Sequence, residues 1–227
     1  MQEHFEHEVE ELKTNVIKMA SLVDDQVERV ITALETNNIE LCKGVKNKDL
    51  EVDAYDNLIQ TQCENIFALF HPVASDLRFI ISTLMINNQL ERCGDIGVNI
   101  GQRVKKITNA SELIKESQIV EMARNAKEML KQAIDAFIHR NTELAKKVIA
   151  TDEIVDKFNK QIFKFLVAKM AANPQQIEPC SHMIVLTRHI ERLADHATNI
   201  AEDILFYLEG RIVTHQKKLE NREKETE

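Results

Sequence analysis

One ten-residue stretch occurs twice in this chain: residues 91–100 read ERCGDIGVNI, and residues 191–200 read ERLADHATNI. The copies are one hundred residues apart and are identical at five of ten positions. Neither contains proline, and residues four apart on a helix lie about 40° apart around its axis. The stretch therefore predicts two equivalent helices in a duplicated chain. Each helix carries a stripe of oxygen-bearing side chains: Glu91, Asp95 and Asn99 in one, and Glu191, Asp195 and Asn199 in the other.

The rest of the chain also predicts a duplicated helical fold. Residues 37–45 (NNIELCKGV) match residues 140–148 (RNTELAKKV), and a proline dipeptide ends a helical pattern in each half, at His71-Pro72 and Asn173-Pro174. Apolar residues recur three and four positions apart, which is typical of amphipathic helices. We predict an all-α fold of six long helices that form two tandem, structurally repeated three-helix bundles.

The spacing of apolar and helix-breaking residues also sets the expected boundaries. The six helices are predicted at residues 5–34, 38–70, 75–107, 111–140, 141–172 and 181–208. The predicted units are a first three-helix repeat at residues 1–109, a second at 110–212, and a charged, disordered tail at 213–227.

Composition excludes several classes of protein. The 227-residue chain has a formal net charge of −8 and no basic patch of any size, so nucleic-acid binding is not expected. Its most apolar run, residues 79–86, is far shorter than the roughly 20 residues of a membrane span. The acidic N-terminus lacks the features of a signal peptide. We therefore expect a cytoplasmic protein that does not insert into membranes.

Catalytic motifs are missing from the sequence. The four cysteines have no CxxC spacing and are predicted to be reduced and buried. No nucleophile signature and no glycine-rich phosphate loop occurs. We expect neither enzymatic activity nor an organic cofactor.

Acidic residues on neighbouring helices are predicted to meet in each half. Asp53 lies 19 residues before Pro72 and Glu91 lies 19 after it; Asp156 lies 18 residues before Pro174 and Glu191 lies 17 after it. If the two helices of each half pack antiparallel, the acids lie at similar heights. Carboxylate clusters without nitrogen or sulfur ligands suit hard cations such as Mg²⁺, Mn²⁺, Ca²⁺ or iron.

Other interpretations of the acids remain open. On the last helix an apolar stripe that includes Leu193 and Ile200 lies opposite Glu191, so the acids can equally form an ordinary solvated face. The chain would then be a helical adaptor or chaperone-like binding module without metal. A di-metal carboxylate enzyme would need histidine ligands beside the acids, and no Glu-x-x-His pair is present.

These residues resemble a known family. The HPVASDLR turn at residues 71–78, the ERCGD segment at 91–95 and the duplicated acidic pattern are similar to PhoU proteins, and the likeness extends from about residue 5 to 210. The second half departs from the pattern, because its turn reads NPQQIEPCSH and Ala194 stands where the first half has Gly94.

The resemblance implies a cytoplasmic, commonly dimeric regulator that is not a catalyst. It implies repression of the phosphate-starvation response, through coupling of the phosphate ABC transporter to a sensor histidine kinase, and modulation of phosphate uptake. It also implies that the acidic motifs bind iron, manganese or magnesium. The candidate metal ligands are Asp49, Asp53, Glu91 and Asp95 in the first half, and Asp152, Asp156, Glu191 and Asp195 in the second.

Overall fold

The computed structural model describes residues 2–210, which form seven α-helices and two short 3-10 helices and contain no strand. The α-helices are α1 (Gln2–Thr36), α2 (Val45–Phe70), α3 (Ala74–Val104), α4 (Ser111–Glu116), α5 (Ile119–His139), α6 (Thr142–Ala172) and α7 (Ile177–Glu209). The 3-10 helices are Ile39–Cys42 and Pro174–Gln176. The all-α prediction with six long helices is confirmed, and α4 is an additional short one. The tail predicted at 213–227 lies outside the described residues.

The predicted second helix, at residues 38–70, is wrong at its start. Ile39–Cys42 form a separate 3-10 helix, whose first turn is capped by the Asn38 side chain, and α2 begins only at Val45. Gly44, which directly precedes α2, has a φ of +77°. This left-handed conformation cannot continue a right-handed helix, and glycine adopts it without steric cost.

Two other predicted boundaries are also wrong. The single helix predicted at residues 111–140 is divided into α4 and α5, because Gln118 adopts a left-handed φ of +60° between them. The last helix, predicted to start at residue 181, begins at Ile177. Pro179 therefore lies in the first turn of α7, where the backbone N–H that proline lacks would have no intrahelical acceptor.

The long helices form two three-helix bundles that share one hydrophobic core. α1, α2 and α3 pack together, as do α5, α6 and α7, which confirms the tandem bundles. In addition, α3 packs along α7 and α1 packs against α5. Val16, Leu90, Ile134 and Ile200, from α1, α3, α5 and α7 respectively, line the same small internal cavity. These four helices form the centre of the molecule, and α2 and α6 cover it from outside.

Ion pairs on the surface also join α1 of the first half to α5 of the second. Arg124 contacts Glu35 and lies 2.8 Å from Glu28, and Lys127 lies 2.9 Å from Glu28. Partial burial opposes ionisation of Glu28, but hydrogen bonds from Arg124, Lys127 and Thr32 prevail and lower its pKa to about 2. The two halves are thus held in register by charge as well as by apolar packing.

Two further sequence predictions can be compared with the structure. All four cysteines are free and buried, as predicted: Cys42, Cys63, Cys93 and Cys180. No helix among residues 2–210 combines the length and the apolarity that crossing a bilayer requires.

We expect Leu90→Ala to destabilise the protein strongly. Leu90 is 1% exposed at the centre of the shared core, and removing a buried leucine side chain costs about 2–5 kcal/mol of unfolding free energy. The matched control is Leu50→Ala on α2, where the leucine is 65% exposed and the expected change stays within about 0.5 kcal/mol. Chemical denaturation measures both variants. Similar losses at the two positions would contradict the shared core.

Candidate functional site

The predicted acids of the first half lie together on one face, where α2 and α3 pack side by side. Asp49 and Asp53 project from α2, and Glu91 and Asp95 project from α3. Asp49 and Glu91 are half-buried, whereas Asp53 and Asp95 are exposed. The negative charges of Asp53 and Asp95 act on both Asp49 and Glu91, so the four carboxylates form one electrostatic cluster. We call them, with Asp56 described below, the first acidic cluster.

Asp49 is held in place from the α1 side. Gln26 of α1 is fully buried, and its Nε2 donates hydrogen bonds to Asp49 Oδ1 at 3.0 Å and to the Gly94 carbonyl at 3.2 Å. A β-carbon at position 94 would lie only 3.0 Å from the same Asp49 oxygen. Because Gly94 has no side chain, it leaves room for the Asp49 carboxylate beside α3.

Burial and mutual repulsion raise the pKa values of the two half-buried acids. For Asp49, burial is the main cause, the charges of Asp95 and Asp53 add to it, and the hydrogen bond from Gln26 opposes it. For Glu91, burial is again the main cause, followed by Asp95, Asp56 and Asp53, with Arg92 acting in the opposite direction. The cluster thus concentrates negative charge that a bound cation would neutralise.

Two further residues belong to this site and were not predicted from the sequence, Asp56 and Asn87. Asn87 of α3 is fully buried and its Nδ2 donates to Asp56 Oδ1 at 2.6 Å, which ties the two helices together. The spacing could have revealed Asp56, because Asp49, Asp53 and Asp56 follow the i, i+4, i+7 pattern of one helix face. Nothing in the local sequence distinguished Asn87 from other polar residues.

The second half carries the corresponding set of acids, with an uncharged Asn159 where the first half has Asp56. Asp152 and Asp156 on α6 and Glu191 and Asp195 on α7 are all half-buried. Burial is again the main reason that the pKa of Glu191 is raised, with Asp195 and Asp156 adding to it.

Two neighbours of Glu191 act to lower its pKa and so oppose the effect of burial. Arg188 Nη1 lies 3.1 Å from Glu191 Oε2, and Asn159 donates a hydrogen bond to the Glu191 side chain. Asn159 occupies the position that corresponds to Asp56 of the first half. We call Asp152, Asp156, Glu191 and Asp195 the second acidic cluster.

The chemistry of both clusters suits a hard cation, because the donors are carboxylate oxygens. Within residues 2–210, however, no three carboxylate, imidazole or thiol groups stand close enough together to hold one ion. Coordination would therefore require the side chains to rotate towards a common point. The assignment of these acids as metal ligands stays a prediction.

The two repeats correspond to a known domain. The family model of the PhoU domain matches residues 16–104 and again residues 119–204, which is most of the chain. The chain belongs to the PhoU family. The family resemblance of the HPVASDLR and ERCGD segments is thereby confirmed, as is the duplication.

Curated relatives and solved structures match over nearly the full length. The chain is 37% identical over 209 residues to the phosphate-specific transport system accessory protein PhoU homolog of Aquifex aeolicus, covering 92% of this chain and 95% of the relative. It is 33% identical over 211 residues to the homolog of Caulobacter vibrioides, covering 92% of each. The crystal structure of PhoU from Pseudomonas aeruginosa matches with a TM-score of 0.86 and 30% identity, covering 91% of this chain and all of that one.

The names of these relatives describe accessory proteins rather than enzymes. A structure described as the phosphate transport system regulatory protein PhoU from Streptococcus pneumoniae also matches, with a TM-score of 0.82, 25% identity and coverage of 92% of this chain and 99% of that one.

We expect Glu91→Gln to raise the stability of the metal-free PhoU fold at neutral pH. The pKa of Glu91 is raised in the folded protein, so its ionised form is less favourable there than in the unfolded chain. The gain over the parent protein should shrink as the pH falls from the raised pKa of the folded state towards the ordinary glutamate pKa of about 4.3, and it should vanish below that value, because the carboxyl is then neutral in both states. Thermal unfolding in EDTA from pH 3 to pH 8 measures the difference in stability between the variant and the parent protein. Glu64→Gln, at an exposed position on α2, serves as the control and should not show this pH-dependent gain.

Proposed function

We propose that this chain is a cytoplasmic, non-catalytic regulator of phosphate homeostasis. It represses the phosphate-starvation response and modulates phosphate uptake by coupling the phosphate ABC transporter to its sensor histidine kinase. The observation that carries this proposal is the match of the PhoU domain to both halves, together with full-length relatives named as accessory proteins of phosphate-specific transport. A helical bundle whose polar features lie on its surface is suited to binding protein partners.

The two acidic clusters bind metal ions in this proposal. A di- or trivalent cation such as iron, Mn²⁺ or Mg²⁺ compensates the negative charge of Asp49 and Glu91, whose pKa values are raised by burial and, to a smaller extent, by repulsion from the neighbouring acids. The first acidic cluster is the stronger site, because it contains Asp56 where the second half has Asn159. In the second cluster, Arg188 already supplies a positive charge to Glu191.

Metal binding would change the face that the protein presents to its partners. Without metal, α2 and α3 expose several carboxylates that repel an acidic surface. With metal, the same face is charge-compensated and can accept oxygen ligands from a transporter subunit, from the kinase or from the second chain of a homodimer. The bundle supplies a rigid support, because α2 and α3 are joined through Asn87 and Asp56.

Metal content should depend more on the first half than on the second. We expect Glu91→Ala to lower the number of bound metal atoms per chain, measured by elemental analysis of untagged protein, more than Glu191→Ala does. The double variant should lose nearly all of the metal, and Glu64→Ala should keep it. Equal metal content in the parent protein and the double variant would overturn the metal assignment and favour an adaptor that works without metal, an alternative consistent with the separation of the acids.

Repression should also depend on the acidic clusters. In cells that lack the native gene, we expect the parent chain to silence a phosphate-starvation reporter at high phosphate, and Asp53→Asn with Glu91→Gln to release it. Both substitutions preserve side-chain size, so a loss of repression reports charge or metal rather than folding. Full repression by this variant, at matched protein levels, would show that the clusters have no part in signalling. Failure of the parent chain to repress at all would refute the proposed function itself.

A further inference from the structure

A groove between α6 and α7 combines an apolar floor with basic walls. Its volume is about 810 Å³, which lies within the range of roughly 300–1,000 Å³ typical of small-molecule sites. Phe163, which is 51% exposed, and Ile184 contribute apolar surface. The walls carry Lys160 and Lys164 from α6, and Arg188, His189 and Arg192 from α7. We call this feature the basic groove.

The positive charge of the basic groove is unusual for this chain, whose net charge is −8. Burial is the main cause that lowers the pKa of His189, and the positive charges of Arg103 and of the groove residue Arg192 lower it further. The Nδ1 atom of His189 is buried and has no hydrogen-bond partner within the part of the chain that the structure describes. One carboxylate borders the groove, since Arg188 is paired with Glu191.

The basic groove belongs to the second half alone. With the repeats aligned, Lys160, Phe163 and Lys164 correspond to Asn57, Gln60 and Thr61 of α2. Similarly, Arg188 and His189 of α7 correspond to Asn88 and Gln89 of α3, and only Arg192 has a basic counterpart, Arg92. The basic and aromatic residues are therefore not required by the repeated fold, which forms the same bundle in the first half with neutral polar residues.

The arrangement of the charges indicates which ligand fits. Lys160 and Lys164 are four residues apart on α6, and Arg188 and Arg192 are four apart on α7, so each pair spans about 6 Å along its helix. Two such cationic pairs on facing helices of one groove match a ligand with several negative charges on adjacent atoms, as in an oligophosphate chain. An acidic peptide spreads its charges over a longer segment. The exposed ring of Phe163 offers a face on which a nucleobase can stack.

We propose that the basic groove binds a nucleoside polyphosphate. The lysines and arginines hold the phosphate groups, and Phe163 stacks on the base. This inference goes beyond the proposed function and does not require metal, because none of the residues assigned to the ligand is a candidate metal ligand. Binding of such a ligand would make the second half responsive to the nucleotide supply.

Calorimetric titration of the full chain with ATP, sodium tripolyphosphate and adenosine tests the proposal, in EDTA so that metal plays no part. We expect ATP to bind more tightly than either fragment. The variant Lys160→Asn, Lys164→Thr installs the residues of the first half and should weaken ATP binding at least about tenfold. Phe163→Gln should weaken ATP binding by about tenfold and leave tripolyphosphate binding unchanged.

A matched control removes the same charge elsewhere. Lys105→Asn with Lys106→Thr alters two exposed lysines just beyond α3 and should leave ATP binding as in the parent protein. Equal weakening in this control would show that only net charge matters and would overturn the proposal. Absence of ATP binding would overturn it too, as would tight binding of an acidic helical peptide that ATP does not displace. Metal content and reporter repression are measured separately, so failure here leaves the regulatory proposal intact.

Discussion

The packing of α3 along α7 is the contact on which the remaining architecture depends. Both helices contain the repeated segment, and Ile100 and Ile200 occupy equivalent positions on their buried faces. Polar contacts fix the relative position of the two helices, because Gln89 Oε1 lies 2.7 Å from His196 Nδ1 and accepts a hydrogen bond from Asn199 Nδ2 at 3.3 Å. Once these faces are buried, the acidic residues of each segment are directed away from the shared core and towards α2 or α6.

This arrangement explains why the functional features lie on the outer helix pairs. α2 and α6 each pack mainly against the helices of their own half. Each therefore has one buried face and one outer face whose residues are not constrained by packing. On the first outer pair that surface became strongly acidic, with Asp49 kept close to α3 by the room at Gly94. On the second, acids are combined with the basic groove. The same backbone geometry thus supports two different electrostatic surfaces.

Most of the fold could be predicted from the sequence, because apolar residues recur every three to four positions along the long helices and few helix-breaking residues interrupt them. The missed breaks have clear physical causes. Gly44 adopts a left-handed φ that glycine permits but does not demand, and Gln118 adopts one that its side chain does not favour. Counting residues from the prolines predicted correctly that Asp53, Glu91 and Asp95 lie near one another. It did not reveal the basic groove, because Lys164 and Arg188 come together only through the pairing of α6 with α7.

The shared core also has an evolutionary consequence. A chain that consisted of one repeat would expose the apolar faces of α1 and α3 that α5 and α7 now cover, and it would need a second copy of itself to bury them. Gene duplication and fusion turn such a symmetric pair into one polypeptide. After fusion the two halves can diverge in sequence, because a substitution in one half no longer appears in the other. The asymmetry between Asp56 and Asn159, and between Asn57 and Lys160, is the kind of specialisation that only a fused pair can acquire.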